Sequence, residues 1–198
     1  MGAMLSTSTA TTRLDHIRAN LDAIRRRVGD RRVLVAVKAD AYGHGAVEVA
    51  RMLEARGAAD WLGVATVPEA LTLRAAGVTL PILKLSHASD AEQIEAAVAA
   101  DVDLAVTDAA GIDAVAAAAS RLGRRAAVHL KVDTGMHRIG CPPADAPGLA
   151  IRADAAGLLL RGVFSHLPVS DSEAGRGYTR DQIALFRETG RVAVLDRD

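Results

Sequence analysis

The chain has 198 residues, half of them hydrophobic and about a quarter charged, the balance of an ordinary globular protein. Its 24 basic and 24 acidic side chains cancel to a formal net charge of zero, and with 3% aromatic residues and no basic stripe nothing draws it to nucleic acid. No stretch approaches the roughly eighteen apolar residues of a membrane-spanning helix, and a single cysteine, Cys141, excludes an internal disulfide.

The opening "MGAMLSTSTATT" lacks the basic and apolar regions of a secretory signal, so residues 1–12 read as an N-terminal extension ahead of one domain over 13–198. The cytoplasm is the expected compartment. In "RLDHIRANLDAIRRRVG", Leu14, Ile17, Leu21, Ile24 and Val28 recur at helical spacing, and Gly29 is placed to end the helix. The strand "RVLVAVK" follows, then the helix "AVEVARMLEARG". The same alternation returns as "DWLGVAT" with "VPEALTLRAAG", "PILKLS" with "DAEQIEAAVAA", and "VDLAVTD" with "AGIDAVAAAASRLG". It continues as "AAVHLKVD" with a proline-rich stretch into "PGLAIRADAAG", and as "LLLRGVFSH" with a polar loop and "TRDQIALFRETG". Six successive βα units fit either a doubly wound sheet or a (β/α)8 barrel.

Two patterns favour the barrel. After the first strand "GHGAVE" supplies only two of the three glycines of a dinucleotide-binding turn, so a nucleotide-binding module has little support. On the fifth strand Val128, Leu130 and Val132 share one face, and His129, Lys131 and Asp133 share the other. In a barrel the apolar set packs beneath the helices and the polar set enters the interior. Lys38 likewise shares a face with Leu34 and Ala36. The expectation is therefore an incomplete TIM-type (β/α)8 barrel of about six βα units.

Three groups of residues could carry chemistry. Lys38 ends a buried-looking strand and runs at once into a turn with Tyr42, Gly43 and Gly45; a strand-end lysine amine is a candidate nucleophile toward a carbonyl group, where most lysines are merely solvated. Lys131, Asp133 and Arg138 surround a turn at Thr134–Gly135, either as a solvated salt-bridging loop or as a polar cluster with Arg138 donating to an anionic oxygen. His166 ends the sixth strand, where it is either a packed histidine or a ring partner. The six histidines show no metal-ligand spacing, no G-x-S-x-G turn is present, and Cys141 reads as structural.

These motifs have a family resemblance. "VAVKADAYGHG" resembles the cofactor-attachment motif of bacterial alanine racemases, "VHLKVDTGMHRIG" and "GVFSH" resemble two further family motifs, and "LDHIRAN" resembles the family's first helix. The resemblance covers nearly all of this chain but only the N-terminal barrel portion of a family member, whose C-terminal β domain has no counterpart here. It implies a pyridoxal 5'-phosphate enzyme that interconverts L- and D-alanine, supplying D-alanine for peptidoglycan, with a homodimer as the working form. Lys38 would hold the cofactor and act as one of two bases. Tyr42 would contact its phosphate, Arg138 its phenolic oxygen, and His166 its ring, while Lys131 would orient Arg138. The opposite-face base, a tyrosine of the C-terminal domain, would come from the partner. "ATTR" at 10–13, Asp40 and "LPVSDS" after His166 depart from the usual family pattern. A barrel that holds the cofactor without racemising anything, and a racemase of another small amino acid such as serine, are the other readings.

Overall fold

The computed structural model describes residues 9–87 and 90–194. Most of the N-terminal extension and the last four residues lie outside the described residues. All six expected βα units are present: six parallel strands pair in sequence order, with β1 (Leu34–Ala36), β2 (Trp61–Val64), β3 (Ile82–His87), β4 (Val102–Val106), β5 (Ala127–Lys131) and β6 (Leu159–Phe164). Among the described residues β1 pairs only with β2 and β6 only with β5, so the sheet is an open part of a TIM-type barrel.

The helices follow the expected order. α1 (Leu14–Val28) precedes the sheet, α3 (Ala46–Ala55) follows β1, and α4 (Val67–Ala75), α5 (Ala91–Ala99), α6 (Ala109–Arg121) and α7 (Ala146–Ala155) follow the next strands. α8 (Arg176–Val194) begins three residues earlier than its apolar periodicity indicates, because Ser172 Oγ accepts from Gly175 N and the first turn closes from Thr179 N to the Gly175 carbonyl. Short polar side chains fix several helix starts: Thr66 and Glu69 form a capping box on α4, and Asp90 and Asp108 accept from Gln93 N and Gly111 N.

The outer face of the sheet is the core. Leu62, Val64, Ile82, Leu104, Val128 and Leu130 are buried against Leu53, Leu73, Ile94 and Ile112 of the helices, each such side chain contributing about 1.5–3 kcal/mol of burial. Val132 is buried with them, so β5 alternates as its sequence requires.

The inner face is different. Near the N-terminal ends of the strands lies Asp103, 2% exposed, which accepts from Arg161 Nη1 (2.9 Å) and Trp61 Nε1 (3.3 Å) and has His129 Nε2 at 3.1 Å. Arg161 reaches it at the irregularity where β6 shifts register against β5. Burial opposes ionisation of Asp103, but the His129 bond and the Arg161 charge outweigh it and hold its carboxyl below the ordinary value.

Candidate functional site

At the other end of the inner face a cavity of about 290 Å³ opens among the C-terminal ends of β1, β3, β5 and β6. Lys38, Lys131, Arg138 and His166 line it, with Ser86 and Ser165 as hydroxyls and Leu85 and Phe164 as apolar wall. No carboxylate is among its lining residues.

Lys38 is delivered by an unusual turn. After β1 the segment α2 (Lys38–Gly43) winds left-handed: Ala39, Asp40, Ala41 and Tyr42 have φ between 51 and 56°. Left-handed geometry costs roughly 1–2 kcal/mol for each L-residue, so four in succession need outside support. Ala41 N donates to the Val37 carbonyl and Gly45 N to that of Asp40. Glu69 of the α4 capping box accepts from Ala39 N (2.8 Å) as well as Ala65 N (2.7 Å), tying the turn to the next unit. Burial works against the Glu69 charge, yet these backbone bonds prevail and its pKa lies below the ordinary value. Asp40 is suited to the left-handed region, and its Oδ1 accepts from Ala46 N (2.7 Å) at the start of α3. The Lys38 ammonium stands 5.9 Å from the centre of the Tyr42 ring, and Tyr42 is otherwise exposed.

The loop after β5 is equally constrained. Asp133 Oδ1 accepts from Gly135 N (2.9 Å) and His137 N (3.0 Å), so its carboxylate is committed to the loop rather than to the cavity. The chain then folds back, with Cys141 N donating to the Lys131 carbonyl and Asp133 N to that of Cys141. Gly140 makes this possible: a Cβ there would lie 2.5 Å from Asp133 N. Cys141 is buried and desolvation pushes its thiol up to about 11, which disfavours the reactive thiolate.

Lys131 is 6% exposed, donates to the Leu85 carbonyl (3.2 Å) and lies over the Phe164 ring (5.2 Å). Burial first, then the charges of Arg138 and Lys38, lower its pKa, against a smaller opposing effect of Asp133. His166 is lowered likewise by burial and by Arg138, Lys131 and Lys38, which keeps its imidazole neutral near pH 7. The structure thus brings Lys38, Lys131, Arg138 and His166 to one cavity and leaves Tyr42 outside its lining, exposed beside Lys38.

Several supporting residues carry little sequence signal. Tyr178 Oη donates to the Gly135 carbonyl (2.6 Å) and Gln182 Nε2 to that of His166 (3.2 Å), so α8 clamps both loops. On an amphipathic helix such residues look like any polar surface pair. Thr134 Oγ1 and Ser165 Oγ are bonded at 2.7 Å and join the same two loops. Lys84 and Ser86 also escape; a lysine inside the apolar run "PILKLS" was the one available sign.

Comparison with known proteins agrees with this geometry. Residues 12–193 match the model of the alanine racemase N-terminal domain. Alanine racemase of Cutibacterium acnes is 51% identical over 182 residues, covering 91% of this chain and 48% of that protein. The structure of alanine racemase from Clostridium difficile 630 in complex with cycloserine superposes with a TM-score of 0.83 at 35% identity, over 89% of this chain and 48% of that one. Alanine racemase from D-cycloserine-producing Streptomyces lavendulae gives 0.79 at 36% identity, over 93% and 50%. The chain spans about half the length of these relatives. By the extent of these matches and by its barrel, the chain belongs to the alanine racemase family.

Proposed function

We infer that this chain provides the lysine-bearing, cofactor-holding part of a pyridoxal 5'-phosphate-dependent alanine racemase. The observation that carries the reading is the gathering of Lys38, Lys131, Arg138 and His166 around a cavity with no lining carboxylate. A small anionic aromatic aldehyde fits that donor set: cations for its oxygens, an amine for its carbonyl carbon, and Leu85 and Phe164 for its ring.

Lys38 would hold the cofactor through Nζ and, when that amine is free, take or return a proton there. The left-handed turn carries this amine, and Tyr42, whose ring lies 5.9 Å from it, would contact the phosphate. Arg138 would donate to the phenolic oxygen, Lys131, whose pKa burial lowers, would help orient Arg138, and His166, whose pKa is likewise lowered, would lie beside the ring. Pyridoxal phosphate supplies, when bound, an electron sink for the pair left at Cα.

Because the chain spans about half of its relatives, alanine as substrate, the homodimer, the second base and a role in peptidoglycan supply belong to the proposal for the assembled enzyme. The described residues contain no helix long and apolar enough to cross a membrane; the cytoplasm is the proposed compartment. The test is the absorption spectrum of the chain with pyridoxal phosphate. A visible band of lysine-bound cofactor that survives desalting is expected, and it disappears in Lys38→Ala. Absence of the band in folded wild-type chain would sink the reading. Racemisation of alanine restored by adding the remaining segment of a relative separates a racemase part from a barrel that only holds cofactor.

A further inference from the structure

Lysine is scarce in this chain: Lys38, Lys84 and Lys131 are the only three among 24 basic side chains, the rest being arginines. Lys38 and Lys131 flank the cavity, after β1 and at the end of β5, and Lys84 lies within β3. Lys84 is the one the site has so far not used. In register it neighbours Val64 and Leu104, which belong to the apolar outer face, and it is 4% exposed. None of the ion pairs among the described residues includes it.

Its Nζ donates instead to the His87 carbonyl (2.8 Å), the Ser86 carbonyl (2.9 Å) and Ser86 Oγ (3.0 Å). These three oxygens match the three protons of an ammonium converging from one side. Burying that charge without a carboxylate is costly, and desolvation lowers its pKa; an apolar side chain is the ordinary occupant of such a position.

The oxygens it gathers belong to a bulge. Lys84 pairs with Leu104 and the register resumes with His87 opposite Ala105, so Leu85 and Ser86 have no counterparts on β4. A bulge re-aims backbone groups, and this one turns two residues toward the site. The Leu85 carbonyl accepts from Lys131 Nζ (3.2 Å), Ser86 Oγ donates to the Ala65 carbonyl (2.5 Å), and Leu85, Ser86 and Ala65 all line the cavity. We propose that Lys84 is a positioning residue of this site: its buried ammonium fixes the β3 bulge, and the bulge presents the Leu85 carbonyl that fixes the Lys131 amine. Its bearing on cofactor binding rests on the function inferred above; its hold on Lys131 does not.

Acylation of the full chain by acetic anhydride without cofactor, read by peptide mass spectrometry, follows each of the three lysines separately. In the wild type Lys84 reacts slowest, at least about tenfold slower than the more accessible Lys38. In Lys84→Met, shown folded by circular dichroism, Lys131 reacts about fivefold faster while Lys38 stays within about twofold; Lys84→Arg, which keeps donors in place, moves Lys131 back toward the wild-type rate. A Lys84 as reactive as Lys38 overturns the proposal, and that comparison needs no variant. So does a folded Lys84→Met in which Lys131 keeps its wild-type rate. Pyridoxal phosphate affinity is measured alongside and falls about tenfold in Lys84→Met, the loss of roughly one charged hydrogen bond. Equal affinity overturns the role in the site, whereas no binding by the wild type defeats only the cofactor reading and leaves the acylation result standing.

Discussion

The two ends of the barrel interior handle charge in opposite ways. At the floor, cationic Arg161 meets a buried carboxylate, Asp103, whose oxygens also engage Trp61 and His129. At the mouth, Lys38, Lys131 and Arg138 face one another with no lining carboxylate, and the nearby acids are committed to backbone amides: Glu69 to Ala39 and Ala65, Asp133 to Gly135 and His137. The floor is a finished network that serves stability. The mouth is left electrostatically incomplete, and a site that repels its own cations is one that an anion completes.

The largest way to break the contrast is at the floor. Asp103→Ala leaves Arg161 and His129 without their acceptor and is expected to lower unfolding free energy by about 3 kcal/mol, the low end for a broken buried pair because Arg161 still reaches water. Urea titration measures it; an unchanged midpoint would make the network ornamental. The same carboxylate sets an acid limit. Its folded pKa is depressed, so its stabilisation is present above the unfolded carboxylate value of about 3.9 and is lost as pH falls through the folded one.

At the mouth a middle-sized effect belongs to Glu69. Glu69→Ala removes the capping box and the acceptor of Ala39 N together, and should cost about 1–2 kcal/mol. It should also loosen cofactor retention, because the left-handed turn that aims Lys38 loses its anchor. Retention equal to wild type would detach the turn from the site. The smallest effect sharpens the contrast directly. His166, titrated by NMR, should lose its proton below the ordinary imidazole value, and inorganic phosphate should move that midpoint upward by offsetting the surrounding cations.

The parts of this arrangement legible in the sequence are those written in local periodicity. The six βα units and the alternation of Val128, Leu130 and Val132 against His129, Lys131 and Asp133 follow from strand period, while the gathering of Lys38, Lys131, Arg138 and His166 at one end is what the family resemblance implies. What escaped depends on partners distant in the chain. The handedness of residues 39–42 is supported by Glu69, thirty residues away, and Asp103 gains meaning only from strands β2, β5 and β6. Lys84 carries no site signal in the sequence because its acceptors are created by a bulge, and a bulge has no periodic signature. The sequence periodicity starts α8 late because Gly177, in its first turn, reads as loop.

The left-handed turn also bears on the order in which the molecule assembles and opens. An unfolded chain rarely visits four consecutive left-handed residues, and here their support comes from Glu69 of the next βα unit. The turn therefore has little reason to form before β2 and α4 have docked. It should consolidate late in folding and be among the first segments to open in the native state, so that the amides of Ala41 and Gly45 exchange with solvent sooner than those of Leu62 or Leu104 in the sheet. The lysine on which the chemistry would depend is thus carried by one of the least self-sufficient pieces of the barrel, and a ligand that ties Lys38 down would slow that local opening as well.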